Sequence, residues 1–305
     1  MALNRVYWVS LALLLLAVAA SAKAQVLQLE NTSDITSNFT QTNDSDATGS
    51  YFTNQSTPSI GGNSVVNTSG ADATATYSQS SFYLPVGDQI TVSAYVDQEQ
   101  AGSGSQVLLE LGFGDTSSDV YHKDSNGYDI FSRLYSVQSH NQSFEPLTDD
   151  KYQNTVAASE TDALGGSNYV TLTGTNGAGQ WYLYSVTLQN LDSSGDFQEF
   201  VSLQSATVSG GTATLGTTVL SYSELYNGSY ANTGLESAAT TGAGLYTGFR
   251  SNTVGNSGTD AIDNFAVSAV SPDPEPASLG LLATSGIFLL RRRGGAHGTN
   301  DLNAR

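Results

Sequence analysis

Apolar residues recur at every second position through long stretches of this chain. Ile90, Val92, Ala94 and Val96 fall on one side of an extended segment, with Thr91, Ser93, Tyr95 and Asp97 on the other. Val107, Leu109, Leu111 and Phe113 repeat the pattern against Leu108, Glu110 and Gly112, and Tyr182, Tyr184, Val186 and Leu188 repeat it against Trp181, Leu183, Ser185 and Thr187. A period of two is the repeat of a β-strand with one buried face. No sustained spacing of three and four, the mark of an amphipathic helix, runs through the same region. Between the rows lie turn clusters such as Ala101-Gly102-Ser103-Gly104, Asp192-Ser193-Ser194-Gly195-Asp196 and Ser209-Gly210-Gly211. Their glycines and Asx residues admit the dihedrals that tight turns need. Trp181 to Val208 therefore reads as a long antiparallel hairpin, and the whole as an all-β, antiparallel, two-sheet jelly-roll sandwich whose inner faces bury the rows. Residues 31–75 are richer in Ser, Thr and Asn and are expected to hold one or two irregular outer strands with long loops.

The chain has no cysteine, so disulfides, thiolate metal sites and a cysteine nucleophile are excluded and the fold rests on its core. Between Val26 and Ser271 there are 25 acidic residues against the four bases Lys123, Arg133, Lys151 and Arg250, so this body carries 4 − 25 = −21, against −18 for the whole chain. A field of that sign repels phosphate backbones, and nucleic-acid binding is set aside.

The chain ends carry addresses. Arg5 precedes an apolar run from Val6 to Ala20, and Ala22-Lys23-Ala24 offers the small-x-small pattern read by signal peptidase, so cleavage is expected after Ala24. At the other end Pro274, Glu275 and Pro276 lead into an apolar stretch from Ala277 to Leu290, closed by Arg291, Arg292 and Arg293. That stretch has 14 residues, fewer than the ~20 a helix needs to cross a full hydrocarbon core. The order of hinge, apolar segment and cationic stop resembles the PEP-CTERM sorting signal of bacterial envelope and exopolysaccharide-producing systems. The resemblance implies a signal peptidase and a membrane-embedded exosortase as processing partners. It also implies transient membrane association through residues 277–290, and delivery to the cell envelope, outer surface or extracellular matrix. The expected organisation is a signal peptide (1–24), a β-sandwich body (25–270), a Pro-rich hinge (271–276), a C-terminal hydrophobic helix (277–290), and a basic stop with a polar tail (291–305).

Within the body, Gln180 to Leu188, Phe197 to Leu203, Gly244 to Ser251 and Asp260 to Val267 follow one another as a Trp-Tyr strand, its partner, a Gly-Phe-Arg strand and an Asp-Asn-Phe strand. This order resembles the second half of concanavalin A-like, laminin-G-like jelly rolls. The resemblance implies that fold, which hosts many activities, and leaves function to be argued from the site.

Catalytic signals are weak. Glu110 and Asp115 stand five apart, an odd separation that places them on opposite faces of a regular strand, whereas acid-base hydrolysis of glycosides needs two carboxyl groups in one cleft. His122 and His140 are the only histidines of the body, and no Gly-x-Ser-x-Gly elbow accompanies them. Two histidines also fall short of a three-histidine zinc site. The expectation is a protein without enzymatic activity.

No cofactor is called for. Calcium is the metal best matched, because Asp124, Asn126 and Asp129 cluster in a turn-rich run and calcium takes several oxygens from flexible loops. The alternative is a solvated turn bent at Asn126-Gly127. Asp263 is a second calcium candidate, set against a role in pinning the final strand. For carbohydrate, exposed rings are required. Tyr222, Tyr226 and Tyr230, spaced by four in a Ser/Asn/Gly-rich, loop-like setting, are the candidates, with solvent-edge packing as the alternative; Trp181 alternates with Leu183 and is read as core. The function expected is a non-catalytic module contacting extracellular polysaccharide. The rivals are a structural or adhesive envelope component with no specific ligand, and a secreted polysaccharide-active hydrolase.

Overall fold

The structure, a computed structural model, describes residues 25–26, 32–43, 47–68, 72–98, 106–118, 120, 129–137, 143–151, 159–162, 170–171, 180–226, 233–240, 244–251 and 261–270. All belong to one compact unit that ends at Val270. Among them no helix is long and apolar enough to cross a membrane. Ala22, Ala24, Pro274, Glu275, Pro276, Arg291, Arg292 and Arg293 lie outside the described residues.

Two antiparallel eight-stranded sheets face one another as a jelly-roll sandwich. The first sheet runs β14 (Thr212–Tyr226), β13 (Phe197–Ser209), β12 (Gln180–Asn190), β6 (Gln89–Gln98), β16 (Ala261–Val270), β4 (Ser64–Asn67) and β3 (Phe52–Gln55), with β1 (Gln25–Val26) also beside β16. The second runs β10 (Ser159–Asp162), β9 (Ser143–Lys151), β8 (Asp129–Val137), β7 (Gln106–Gly114), β15 (Tyr246–Ser251), β5 (Ala73–Tyr77) and β2 (Phe39–Asn43), with β11 (Val170–Thr171) beside β9. Two short helices, α1 (Thr32–Asn38) and α2 (Thr233–Thr240), complete the described elements. Residues 31–75 thus contribute α1, three whole strands and the start of β5, more regular structure than their polar composition suggests. Gln41 and Asn67 among their polar residues are buried and held by hydrogen bonds: Gln41 Oε1 accepts the N–H groups of Tyr51 and Phe52, and Asn67 Nδ2 donates to the Ser251 carbonyl.

The period-two rows face inward as expected. Ile90, Val92, Ala94 and Val96 on β6, Leu109, Leu111 and Phe113 on β7, and Tyr184, Val186 and Leu188 on β12 are buried in one core. Each such Val, Ile, Leu or Phe side chain contributes about 1.5–3 kcal/mol by leaving water. The predicted hairpin is β12 and β13, paired from Trp181↔Ala206 to Asn190↔Phe197. Its turn is held by Asp192, whose Oδ1 accepts the N–H groups of Ser194 and Asp196. The next turn, Gly210-Gly211, has φ of 58° and 77° at its two central residues, the dihedrals of a two-residue hairpin turn that glycine adopts without strain.

The Phe-Arg and Asn-Phe words of the sequence meet at the centre. Phe249 of β15 and Phe265 of β16 lie 5.7 Å apart, joined by Phe39 at 5.6 and 5.3 Å and by Phe52 at 5.1 Å from Phe249. Ile262 and Phe265 both reach this core although they are three residues apart. Between them the pairing of β16 with β6 slips from Asp263↔Tyr95 to Ala266↔Ser93, and Asn264 takes φ 50°. The bulge adds the residue that returns Phe265 to the inner face.

A second apolar layer lies apart from the first, where Trp181, Ala206, Ala261 and Val66 pack with Ile60. Trp181 is buried as expected, but in this layer rather than in the main core. The second sheet is also closed on its other side. Gly112 stands opposite Phe131, and a Cβ there would come within 2.2 Å of the Ile130 carbonyl oxygen and 2.6 Å of the Phe131 ring. The missing side chain lets that ring settle on the sheet beside Val120 and Tyr246.

Candidate functional site

Three polar constellations stand out among the described residues. The first is on β15 and β7, where Arg250 donates to Glu110 Oε1 at 2.5 Å and to Asp72. Glu110 is 0% exposed and Arg250 4%, so this is a buried ion pair that ties β15, β7 and the entry to β5. Asp115, beyond the end of β7, accepts the Thr116 hydroxyl at 3.0 Å. The two carboxylates weighed as a pair therefore stand in separate environments.

The second constellation lies between the sheets. Ser132 Oγ of β8 and the Tyr222 hydroxyl of β14 are 2.7 Å apart, and Tyr226 donates to Glu199 Oε2 at 3.1 Å in full burial. Tyr222 and Tyr226 are thus not the loop-borne rings expected from their surroundings. They sit on a strand, and their spacing of four, an even number, points both toward the interior. Tyr230 lies outside the described residues. Burial pushes the phenols of Tyr184 and Tyr222 well above the usual 10.0, and the charge of Glu199 adds to the rise, while a hydrogen bond from Ser132 opposes it.

Among the described residues no group of three or more His, Asp or Glu side chains is placed to hold a metal. Asp124, Asn126, His122 and His140 lie outside the described residues. Asp129 opens β8 opposite Gly114 and is 2% exposed. Asp263 is 0% exposed, and both its oxygens take backbone donors: Ile60 N–H on Oδ2 at 2.6 Å and Asn264 N–H on Oδ1 at 2.8 Å. It pins β16 to the loop before β4.

The third constellation is an open cavity of about 380 Å³ lined by Val86, Ser193, Ser194, Glu236, Ser237 and Thr240. Three elements meet there. The loop between β5 and β6 is fixed by Leu84 N–H on the Ala239 carbonyl (2.8 Å), by the Asn190 side-chain amide on the Leu84 carbonyl (2.9 Å) and by Gly87 N–H on the Asn190 carbonyl (2.7 Å). The β12–β13 turn supplies the two serines. Helix α2 buries Leu235, Ala238 and Ala239 in the core and turns Glu236, Ser237 and Thr240 to the cavity. Glu236 is 9% exposed, and its Oε2 has no hydrogen-bond partner. Burial raises its pKa above 4.5, opposed by a hydrogen bond with Asn190 and reinforced by the charge of Asp192. Val86 stands 48% exposed at the cavity, and Tyr83 of the same loop is 60% exposed.

Sequence reasoning passed over this site. The available signal was Thr233-Gly234-Leu235-Glu236, a Thr-x-x-Glu spacing that marks helix starts ahead of Ala238 and Ala239. It predicts a helix but not which loops the helix meets.

No family model matches the sequence, and no curated protein matches it. Solved structures resemble it in shape. A lectin complexed with galactose has 10% identity and a TM-score of 0.42, covering 83% of this chain and 100% of its own. A lectin from Bauhinia forficata in complex with GalNAc has 11% identity and a TM-score of 0.39, covering 82% and 100%. An alginate lyase has 13% identity and a TM-score of 0.42, covering 84% and 100%. At this level the likeness bears on neither ligand nor chemistry.

Proposed function

We propose that this chain is an exported, non-catalytic protein of the cell surface or matrix that contacts extracellular polysaccharide. The observation that carries the reading is the cavity at α2, where four hydroxyl side chains and one carboxyl converge beside exposed Val86. A depression with a few convergent polar groups and an adjoining apolar edge is the form that a hydroxylated ligand requires. The non-catalytic reading is supported by Glu110, which is engaged by Arg250 inside the protein. Export and sorting rest on the resemblance of residues 272–293 to PEP-CTERM signals, with signal peptidase and an exosortase as processing partners. Calcium at Asp124, Asn126 and Asp129 belongs to the same proposal as an accessory ion.

The test is binding of the full-length protein to a panel of polysaccharides, with and without added calcium. Saturable binding that S194A/S237A weakens at least tenfold is expected. Absence of binding in both conditions overturns the reading and leaves a structural role, for which β14, the end strand of its sheet among the described residues, with Leu215 and Leu225 44% and 51% exposed, is the supporting observation.

A further inference from the structure

Two buried acceptor atoms at the α2 cavity have no donor. Glu236 Oε2 is buried and lacks a partner, and so does Oδ1 of Asn190, the residue whose amide reaches Glu236. Asn190 is 0% exposed and its amide orientation is set by the Leu84 carbonyl, so its oxygen cannot be exchanged for a donor without losing that bond. A buried acceptor without a partner costs about 1–3 kcal/mol, more when it is charged. The segments that line the cavity carry no cation to relieve it. Residues 84–88, 190–196 and 233–240, which make and flank the cavity, contain no lysine or arginine and carry Asp88, Asp192, Asp196 and Glu236. Ser193, Ser194, Ser237 and Thr240 supply hydroxyls that either donate or accept.

We infer that this cavity takes an amine-bearing sugar unit, whose ammonium group is received by Glu236 while its ring hydroxyls meet the surrounding serines and Thr240. The inference rests on the polysaccharide-contact reading and names its ligand class. An ammonium group brings three donors and one positive charge to a carboxylate whose Oε2 lacks a donor and whose charged neighbour, Asp192, is itself acidic. The body's charge acts in the same direction at longer range. Its 25 acidic residues against four basic ones attract a cationic polymer and repel a uronate-rich one. The charged group that acts on Glu236 is acidic, Asp192 in the β12–β13 turn, and the other titratable residues of the segments around the cavity, Asp196 in the same turn and Asp88 in the loop before β6, are acidic as well. Proton and ammonium therefore compete for one carboxylate.

Calorimetric titration of the full-length protein with glucosamine oligomers, their N-acetylated counterparts and oligouronates of equal length tests this. The glucosamine oligomers are expected to bind at least tenfold more tightly than the acetylated ones, and the uronates least. In E236Q, which changes net charge by one, that preference is expected to disappear while residual binding to the neutral oligomer remains. Should E236Q fold poorly, the wild-type protein supplies the second readout: the preference declines as pH falls through the raised pKa of Glu236. Equal binding of amine and acetylated oligomers, or a preference that survives both E236Q and acid, overturns the inference and leaves polysaccharide contact standing. No binding of any oligomer overturns both.

Discussion

The carboxylate of Asp263 accepts the backbone N–H of Ile60 at 2.6 Å, joining positions 203 apart in sequence. Its other oxygen holds the Asn264 N–H, so one side chain fixes both the loop before β4 and the bulge of β16. Replacing it by alanine leaves two N–H groups without an acceptor. D263A is expected to lose about 2–4 kcal/mol of stability, and D263N less, because the amide oxygen keeps one bond. Urea unfolding followed by circular dichroism measures the difference.

Arg250 compensates the buried charge of Glu110 and the partly buried Asp72. R250M is expected to destabilise by about 3–5 kcal/mol, because it leaves buried carboxylate charge without its main partner. The double variant R250M/E110Q is expected to recover part of that loss. A double-mutant cycle in guanidinium tests the coupling.

Asn264 occupies φ 50° at the bulge. N264V is expected to cost about 1–2 kcal/mol, because a β-branched side chain clashes with the backbone in the left-handed region, whereas N264G should be close to neutral. Equal melting temperatures for the two variants would remove the bulge argument.

Tyr184 and Tyr222 hold their protons more tightly in the folded protein than in the unfolded chain. At pH values above the ordinary 10.0 the unfolded chain releases these protons while the folded one retains them, so stability falls as pH rises through that range. Ultraviolet titration of the phenolate band should show at least two tyrosines that ionise only on alkaline unfolding, and Y222F should lose about 1 kcal/mol with its bond to Ser132.

If residues 272–293 sort the protein as proposed, replacing Arg291, Arg292 and Arg293 by alanine should reduce the processed form in cell-surface fractions of an exosortase-bearing host. Immunoblotting of the fractions reads the change, and an unaltered distribution counts against the signal.

The inner rows were legible because burial on one strand face writes a period of two into the sequence, as in Ile90 to Val96. The β12–β13 hairpin was legible because Asp192 and Gly195 are turn residues adjoining such rows. Tyr222 and Tyr226 were misread because an edge strand is nearly as polar as a loop: thirteen of the fifteen residues from Thr212 to Tyr226 are not fully buried. Ile60, Asp72 and Glu236 had no local signal for their partners. Each meets a residue brought near only by the packing of distant segments, and no periodicity records that.

The layer formed by Ile60, Val66, Trp181, Ala206 and Ala261 contains the one tryptophan of residues 25–270, Trp8 being the other of the chain. The main core contains Tyr77, Tyr182, Tyr184 and Tyr226 and no tryptophan. Indole emission and tyrosine circular dichroism therefore report on two different strata of one sandwich. If the strata melt together, the two optical transitions coincide, as a cooperative domain requires; if the outer stratum peels first, emission shifts while the tyrosine signal is still native.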